Sequence, residues 1–332
     1  MKTTHASKGR KLNRITSAIM ASSLPFLAAM SAPTFAQEAE ERAENVENII
    51  VTGTRMSNRS AADSPVPVDV ITGEEFRSNS SSDVQDMLRT NVPSFDVNTQ
   101  PISDAATIVR PANMRGLSPD NVLVLVNGKR RHRGSIISFL GGGISDGAQG
   151  VDISAIPSLA LKQVEVLRDG ASSQYGSDAI AGVLNFLLRD NDEGFEFRAN
   201  YGSTYEGDGD NYTISANAGF SLGDKGFVNV TGEIRDVEGT VRSVVRDDVA
   251  GMVDAGYITQ SDFSTINTYT NEVPQYWGQP DVEDDYKVFI NSGYELSDKA
   301  ELYLFGNYGK RTVTGGFFYR NPVTEGSQRG NV

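Results

Sequence analysis

Residues 163–189 read QVEVLRDGASSQYGSDAIAGVLNFLLR. Two apolar runs, QVEVLR (163–168) and VLNFLLR (183–189), flank a stretch made largely of Gly, Ala and Ser. The runs have the length and β-former content of strands. The small residues between them let backbones pack closely, so the segment predicts two buried strands joined by a tight connection. Just upstream, VDISAIPSLALK (151–162) reads as a short helix or turn.

Working outward, NVLVLV (121–126) is almost continuously apolar, as for a strand covered on both faces. Asn127-Gly128 follows it, the strongest short hairpin signal, because a type I′ turn needs φ > 0 at both central residues. The returning strand starts with KRRHR (129–133), and a Gly-rich loop follows, SFLGGGISDGAQG. Earlier, VPVDVIT (66–72) alternates as a strand. Thr72 with Glu75, and Ser82 with Gln85, fit capping boxes. Val84, Met87 and Leu88 then share a helix face that ends by Asn91–Pro93. A polar loop covers 97–107. Residues 60–192 thus predict a compact α+β domain.

After Asp192 the pattern changes. In FEFRANYGSTY (195–205), YTISANAGFSL (212–222) and FVNVTGEIR (227–235), apolar and polar residues alternate. YKVFINSGYEL (286–296) and ELYLFGNYGK (301–310) are looser versions. Strands of about ten residues with period two have the length and pattern of transmembrane β-strands. Short turns, LGDKG (222–226) and LSDKA (296–300), alternate with YEGDGD (205–210) and a long polar stretch over about 236–284. That asymmetry is the one an outer-membrane barrel shows.

The N-terminus is of another kind. Residues 1–36 carry five Lys/Arg and no Asp/Glu, then an apolar run broken by Pro25, then SAPTFA. This is the form of a cleaved secretory signal peptide. Without it the chain holds 25 basic and 43 acidic residues, a net of −18, which disfavours a nucleic-acid partner. There are no cysteines, so no disulfide framework. After an acidic stretch comes ENIIVTGTR (47–55), one short sticky strand. On the segment alone it is equally a first strand of the next domain or a strand offered to a partner's sheet edge.

Enzyme chemistry is absent from the pattern. Only His5 and His132 are present, and His5 lies in the leader. No H-E-x-x-H, G-x-S-x-G or phosphate loop occurs. No cofactor or metal site is expected.

Several stretches together resemble one family. ENIIVTGTR (47–55), DVQDMLRTNVPSF (83–95), MRGLSPDNVLVLVNGKRRHR (114–133) and IPSLALKQVEVLRDGASSQYGSDAIAGVLNFLLRD (156–190) are similar to the plug domain and first barrel strands of a TonB-dependent outer-membrane receptor. The resemblance implies four parts: signal peptide 1–36; periplasmic segment 37–59; α+β plug 60–192; antiparallel transmembrane β-barrel strands 193–332. It implies that Asn48, Ile49, Ile50, Val51, Thr52 and Gly53 form the TonB box, the strand that TonB, with its inner-membrane energising complex, takes up. It implies structural or coupling roles in the plug for Arg115, Gly116, Glu165, Arg168, Gly170, Tyr175 and Gly176, with Arg115 and Arg168 forming ion pairs. The apical segment after the hairpin then supplies candidate ligand contacts: Arg131, His132, Arg133, Ser135 and Gln149. A ferric siderophore is the first expected ligand, with an oligosaccharide or cobalamin as alternatives. Five strands cannot close a barrel. The expectation is therefore an incomplete barrel, the front of a longer transporter or else a plug that binds without transporting.

Overall fold

The computed structural model describes residues 68–78, 83–97, 106–138, 143–242, 278–297 and 299–315, with a few single positions between them. The leader, the strand Asn48–Gly53, Ser82, most of the 97–107 loop and most of 243–277 lie outside the described residues.

In chain order the first domain contains β1 (Val68–Thr72), α1 (Gly73–Arg77), α2 (Val84–Asn91), β2 (Phe95–Val97), α3 (Ala106–Val109), β3 (Ala112–Met114), β4 (Val122–Val126), β5 (Lys129–Arg130), β6 (Leu161–Leu167), α4 (Ser172–Tyr175) and β7 (Gly182–Leu188). Five strands form a sheet ordered β1-β6-β7-β4-β5, and β2 pairs with β3 in a small second sheet. Within the large sheet β4 and β7 run parallel; its other pairs are antiparallel. The unbroken apolar run of β4 has its cause here. Val122, Val124 and Val126 pack into the main core with Phe76, Leu88, Met114, Leu184 and Phe186, while Leu123 and Leu125 pack with Leu167, Ala179 and Val183 on the other side. Each fully buried Leu or Phe contributes about 1.5–3 kcal/mol.

The caps show one expectation met and one corrected. The Thr72 hydroxyl accepts from the Glu75 amide at 3.2 Å and opens α1. The second helix is capped by Asp83 rather than Ser82: Asp83 Oδ1 accepts from the Gln85 amide at 2.9 Å. A carboxylate there satisfies an orphan N–H and also complements the helix dipole. Gln85 does not reach back; its Nε2 donates to the Val109 carbonyl. Asn127 and Gly128 have φ of 47° and 73°, the expected turn, although the returning strand β5 is only two residues long. Gly182 marks the close approach expected of the small-residue stretch: a Cβ there would lie 2.5 Å from the Leu167 carbonyl oxygen.

The other five-stranded sheet, the wall, consists of β8 (Phe195–Gly202), β9 (Asn211–Ser221), β10 (Gly226–Val237), β11 (Asp281–Ser297) and β12 (Ala300–Thr314), all antiparallel to their sequence neighbours. β11 and β12 reach 17 and 15 residues, longer than the ten-residue reading. Thr213, Ser215, Asn217, Asn229, Thr231, Glu233, Lys287 and Asn291 are buried against the first domain. Phe195, Phe197, Tyr201, Phe220, Leu302, Leu304 and Tyr308 are exposed on the opposite face. Among the described residues β8 and β12 are open edges, so the wall is an open sheet rather than a closed barrel. No described helix is long and apolar enough to cross a membrane.

Candidate functional site

The site is the seam where the first domain meets the polar face of the wall, together with the cleft beside it. At the end of the wall with the long connection, charges alternate across the seam. Arg235 of β10 donates to Asp83 Oδ2 at 3.1 Å, and Arg110 approaches Asp83 Oδ1 at 2.6 Å. Arg110 also pairs with Asp86 and donates to the Ser154 hydroxyl. On the wall side, Lys287 pairs with Glu233 at 2.8 Å and with Asp285 at 3.4 Å. Asp83 is 3% exposed. Burial alone would push its carboxyl up, but Arg110, Arg235 and Lys287 hold it far below the ordinary carboxylate range. A second crossing joins Arg311 of β12 to Asp152 at 2.7 Å and to the Ile108 carbonyl at 2.9 Å. There burial wins and the Asp152 carboxyl is raised, with Arg311 opposing.

Nearer the short turns the seam is built from amides. Asn127 Nδ2 donates to Asn291 Oδ1 at 3.1 Å, and Asn291 Nδ2 donates to the Arg189 carbonyl at 2.8 Å. Asn229 Nδ2 donates to Asn191 Oδ1 at 2.8 Å, and Arg189 donates to Glu196 at 2.6 Å. These contacts hold the exit of the first domain to the strands it leads into.

The candidate ligand residues and their neighbours face two sides. Lys129 and Arg131 face the wall: Lys129 stands over the Tyr303 ring, and Arg131 stacks on Phe289 and donates to Asn307 Oδ1 at 2.5 Å. Arg130 and Arg133 face the other way, Arg130 pairing with Asp178 and Arg133 with both Asp120 and Asp178. His132 and Ser135 are exposed. Burial, and then the Arg131 charge, lower the His132 pKa, with Asp152 opposing. Gln149 closes the base of the apical segment, its Nε2 donating to the Gly134 carbonyl at 2.8 Å and its amide to Asp120 Oδ1 at 3.0 Å. Arg131, His132, Arg133 and Gln149 line one cleft of about 230 Å³; Ser135 lies outside it.

The residues with expected structural roles sit within the first domain. Arg115 and Gly116, with φ of 55° and 71°, form a turn after β3 closed by the Leu117 amide on the Met114 carbonyl. Arg115 lies 3.6 Å from Asp169, and Arg168 pairs with Asp69 of β1 at 2.7 Å. Glu165 is buried in the sheet, where Gln163 and Asn185 donate to its two oxygens. A Cβ at Gly170 would lie 3.2 Å from the Ile180 carbonyl oxygen, and Gly176, at φ 91°, ends α4 after Tyr175. Sequence reasoning did not single out Asp83, Arg110, Asp152, Lys287 or Arg311. For Lys287 and Arg311 the signal available was the charge at inward positions of alternating strands; Asp83 lies at a helix cap and Arg110 and Asp152 in loops, where no periodicity marks them.

Residues 60–183 match the family described as TonB-dependent Receptor Plug Domain. That stretch is similar to the plug domain of TonB-dependent receptors. Among solved structures it is similar to a point mutant of the ferric enterobactin receptor PfeA from Pseudomonas aeruginosa in complex with enterobactin. That match has 18% identity and a TM-score of 0.53, and covers 75% of this chain and 34% of that one. The siderophore receptor PirA from Acinetobacter baumannii matches at 22% identity and a TM-score of 0.52, covering 74% and 32%. At these identities the similarity concerns fold. This chain spans about a third of the length of either receptor. The two seam crossings, Asp83–Arg235 and Arg311–Asp152, therefore join plug to wall.

Proposed function

We propose that the plug and wall strands serve an outer-membrane receptor that imports a scarce ligand using energy delivered by TonB. The observation that carries the reading is the wall itself. It turns polar side chains and buried ion pairs toward the plug and an apolar face outward, which is the arrangement of a strand-built wall in lipid. The box Asn48–Gly53 is the strand added to TonB's sheet edge. A ferric siderophore is the first ligand class, supported by the receptors for such ligands that share the fold. One observation favours a less charged ligand, such as a glycan: Arg130, Arg131 and Arg133 are already engaged with carboxylates, an amide or an aromatic ring. A peptide covering residues 44–56 is expected to bind the periplasmic domain of TonB, and Ile50→Pro to abolish binding, because proline removes a ladder donor. Equal binding by the proline peptide in calorimetry would overturn strand addition.

A further inference from the structure

The turn that joins β4 to β5 also carries the dipeptide type most prone to backbone attack on a side-chain amide. A backbone nitrogen attacks the preceding asparagine side chain most readily when it belongs to glycine, which puts no side chain in the way. Asn127-Gly128 is the only Asn-Gly pair in the sequence. In the structure both reacting groups are held. Asn127 Nδ2 donates to Asn291 of the wall, and Asn127 Oδ1 accepts from the Leu188 amide at 2.9 Å. The Gly128 amide, the nucleophile, donates to Asn185 Oδ1 at 3.0 Å. Asn185 is fixed in turn, its Nδ2 donating to the buried Glu165 carboxylate at 3.0 Å. Four elements, β4, β6, β7 and β11, thus converge on one dipeptide.

We infer that Asn127-Gly128 is a latent deamidation site that native docking of the hairpin on the wall keeps silent. In the reaction the Gly128 nitrogen loses its proton and bonds to Asn127 Cγ, and the side-chain nitrogen leaves as ammonia. Water then opens the five-membered imide to aspartate or isoaspartate. Neither product can be accommodated as before. Aspartate has no N–H for Asn291, and isoaspartate lengthens the main chain inside a turn that needs two positive φ angles. The modification therefore marks, in one direction only, each molecule whose hairpin has left the wall. The inference stands on the turn and its bonds, independently of whether the chain transports.

The test is peptide mapping by mass spectrometry, resolving Asn, Asp and isoAsp at residue 127, on the purified chain in detergent at mildly alkaline pH. The native chain is expected to react at least about tenfold more slowly than the urea-unfolded chain, since only the opened fraction reacts. Asn291→Ala, which removes the wall's bond, is expected to react about fivefold faster than wild type, the factor carried by one net hydrogen bond. Hydrogen exchange at the Lys129 amide reports whether that variant keeps its hairpin; should it not, Asn291→Ser takes its place with the same expectation. Equal rates in native and unfolded wild type would overturn the protection. A folded Asn291 variant that reacts no faster than wild type would overturn the wall's part in it.

Discussion

In the plug, β4 turns every side chain into protein: Val122 through Val126 are all buried, alternately against the helix-covered core and against the small-residue connection. In the wall, β10 treats its two faces differently. Asn229, Thr231 and Glu233 are buried against the plug, while Val228, Val230 and Ile234 stay partly exposed on the other side. The same residue types therefore occupy opposite places within one chain. The plug hides apolar surface from water; the wall hides polar groups from the surroundings of its outer face and pairs them on the inner one.

The comparison can be broken most sharply in the plug. Phe186→Ala, at a fully buried position in β7, is expected to cost about 3–5 kcal/mol through lost burial and a cavity, read as a lower denaturant midpoint at unchanged slope. In the wall the corresponding weak point is a charge. Arg235→Ala leaves Asp83 with Arg110 but without its wall partner, and a loss of about 3 kcal/mol is expected, at the low end for a broken buried pair. Protease resistance of the plug checks it, since the bond crosses the seam. On the outer face, Ile290→Arg is expected to cost about 2–4 kcal/mol if that position lies near the bilayer midplane. Folding yield into lipid vesicles measures it, and an arginine accepted without loss there would show that this face does not meet lipid. The smallest effect is acid sensitivity. The Asp83 carboxyl is held below its ordinary value of 3.8, so its charge stabilises the fold above that pH. That contribution is lost as pH falls from there toward the folded value. Asp152 has the opposite sign, its raised carboxyl favouring the fold most at low pH and less as pH rises through its range. Asp83→Asn is expected to flatten the acid limb of a thermal melt recorded across pH.

Much of this architecture was legible because it follows local rules. Thr72 capped the helix it should, Asn127-Gly128 took two positive φ angles, and period-two alternation located all five wall strands. The misreading at Ser82 shows where local rules compete: two adjacent residues both suit an N-cap, and the one with a carboxylate and two arginine partners won. The seam was illegible for a different reason. Asp83 meets Arg235, and Asp152 meets Arg311, only after the whole plug has folded between them. The KRRHR run was visible as charge, but the backbone path after the two-residue strand, not composition, sends Lys129 and Arg131 to the wall and Arg130 and Arg133 to plug carboxylates. The strand Asn48–Gly53 remains a proposal from its sequence.

The order of strands in the plug sheet also sets a timetable. Wall strands pair with their sequence neighbours, Phe227 with Ser221 across a short turn, so apart from the long β10–β11 connection they can zip soon after they are made. β1 cannot: Val68 pairs with Leu167, and β4 pairs in parallel with β7, across much of the plug. Such high contact order slows closure, because loop entropy is lost before the contacts form. As the chain emerges N-terminus first, β1 travels as an unpaired edge until β6 arrives. The plug is thus the late, aggregation-exposed partner in folding, and a holding chaperone would act first on its N-terminal half.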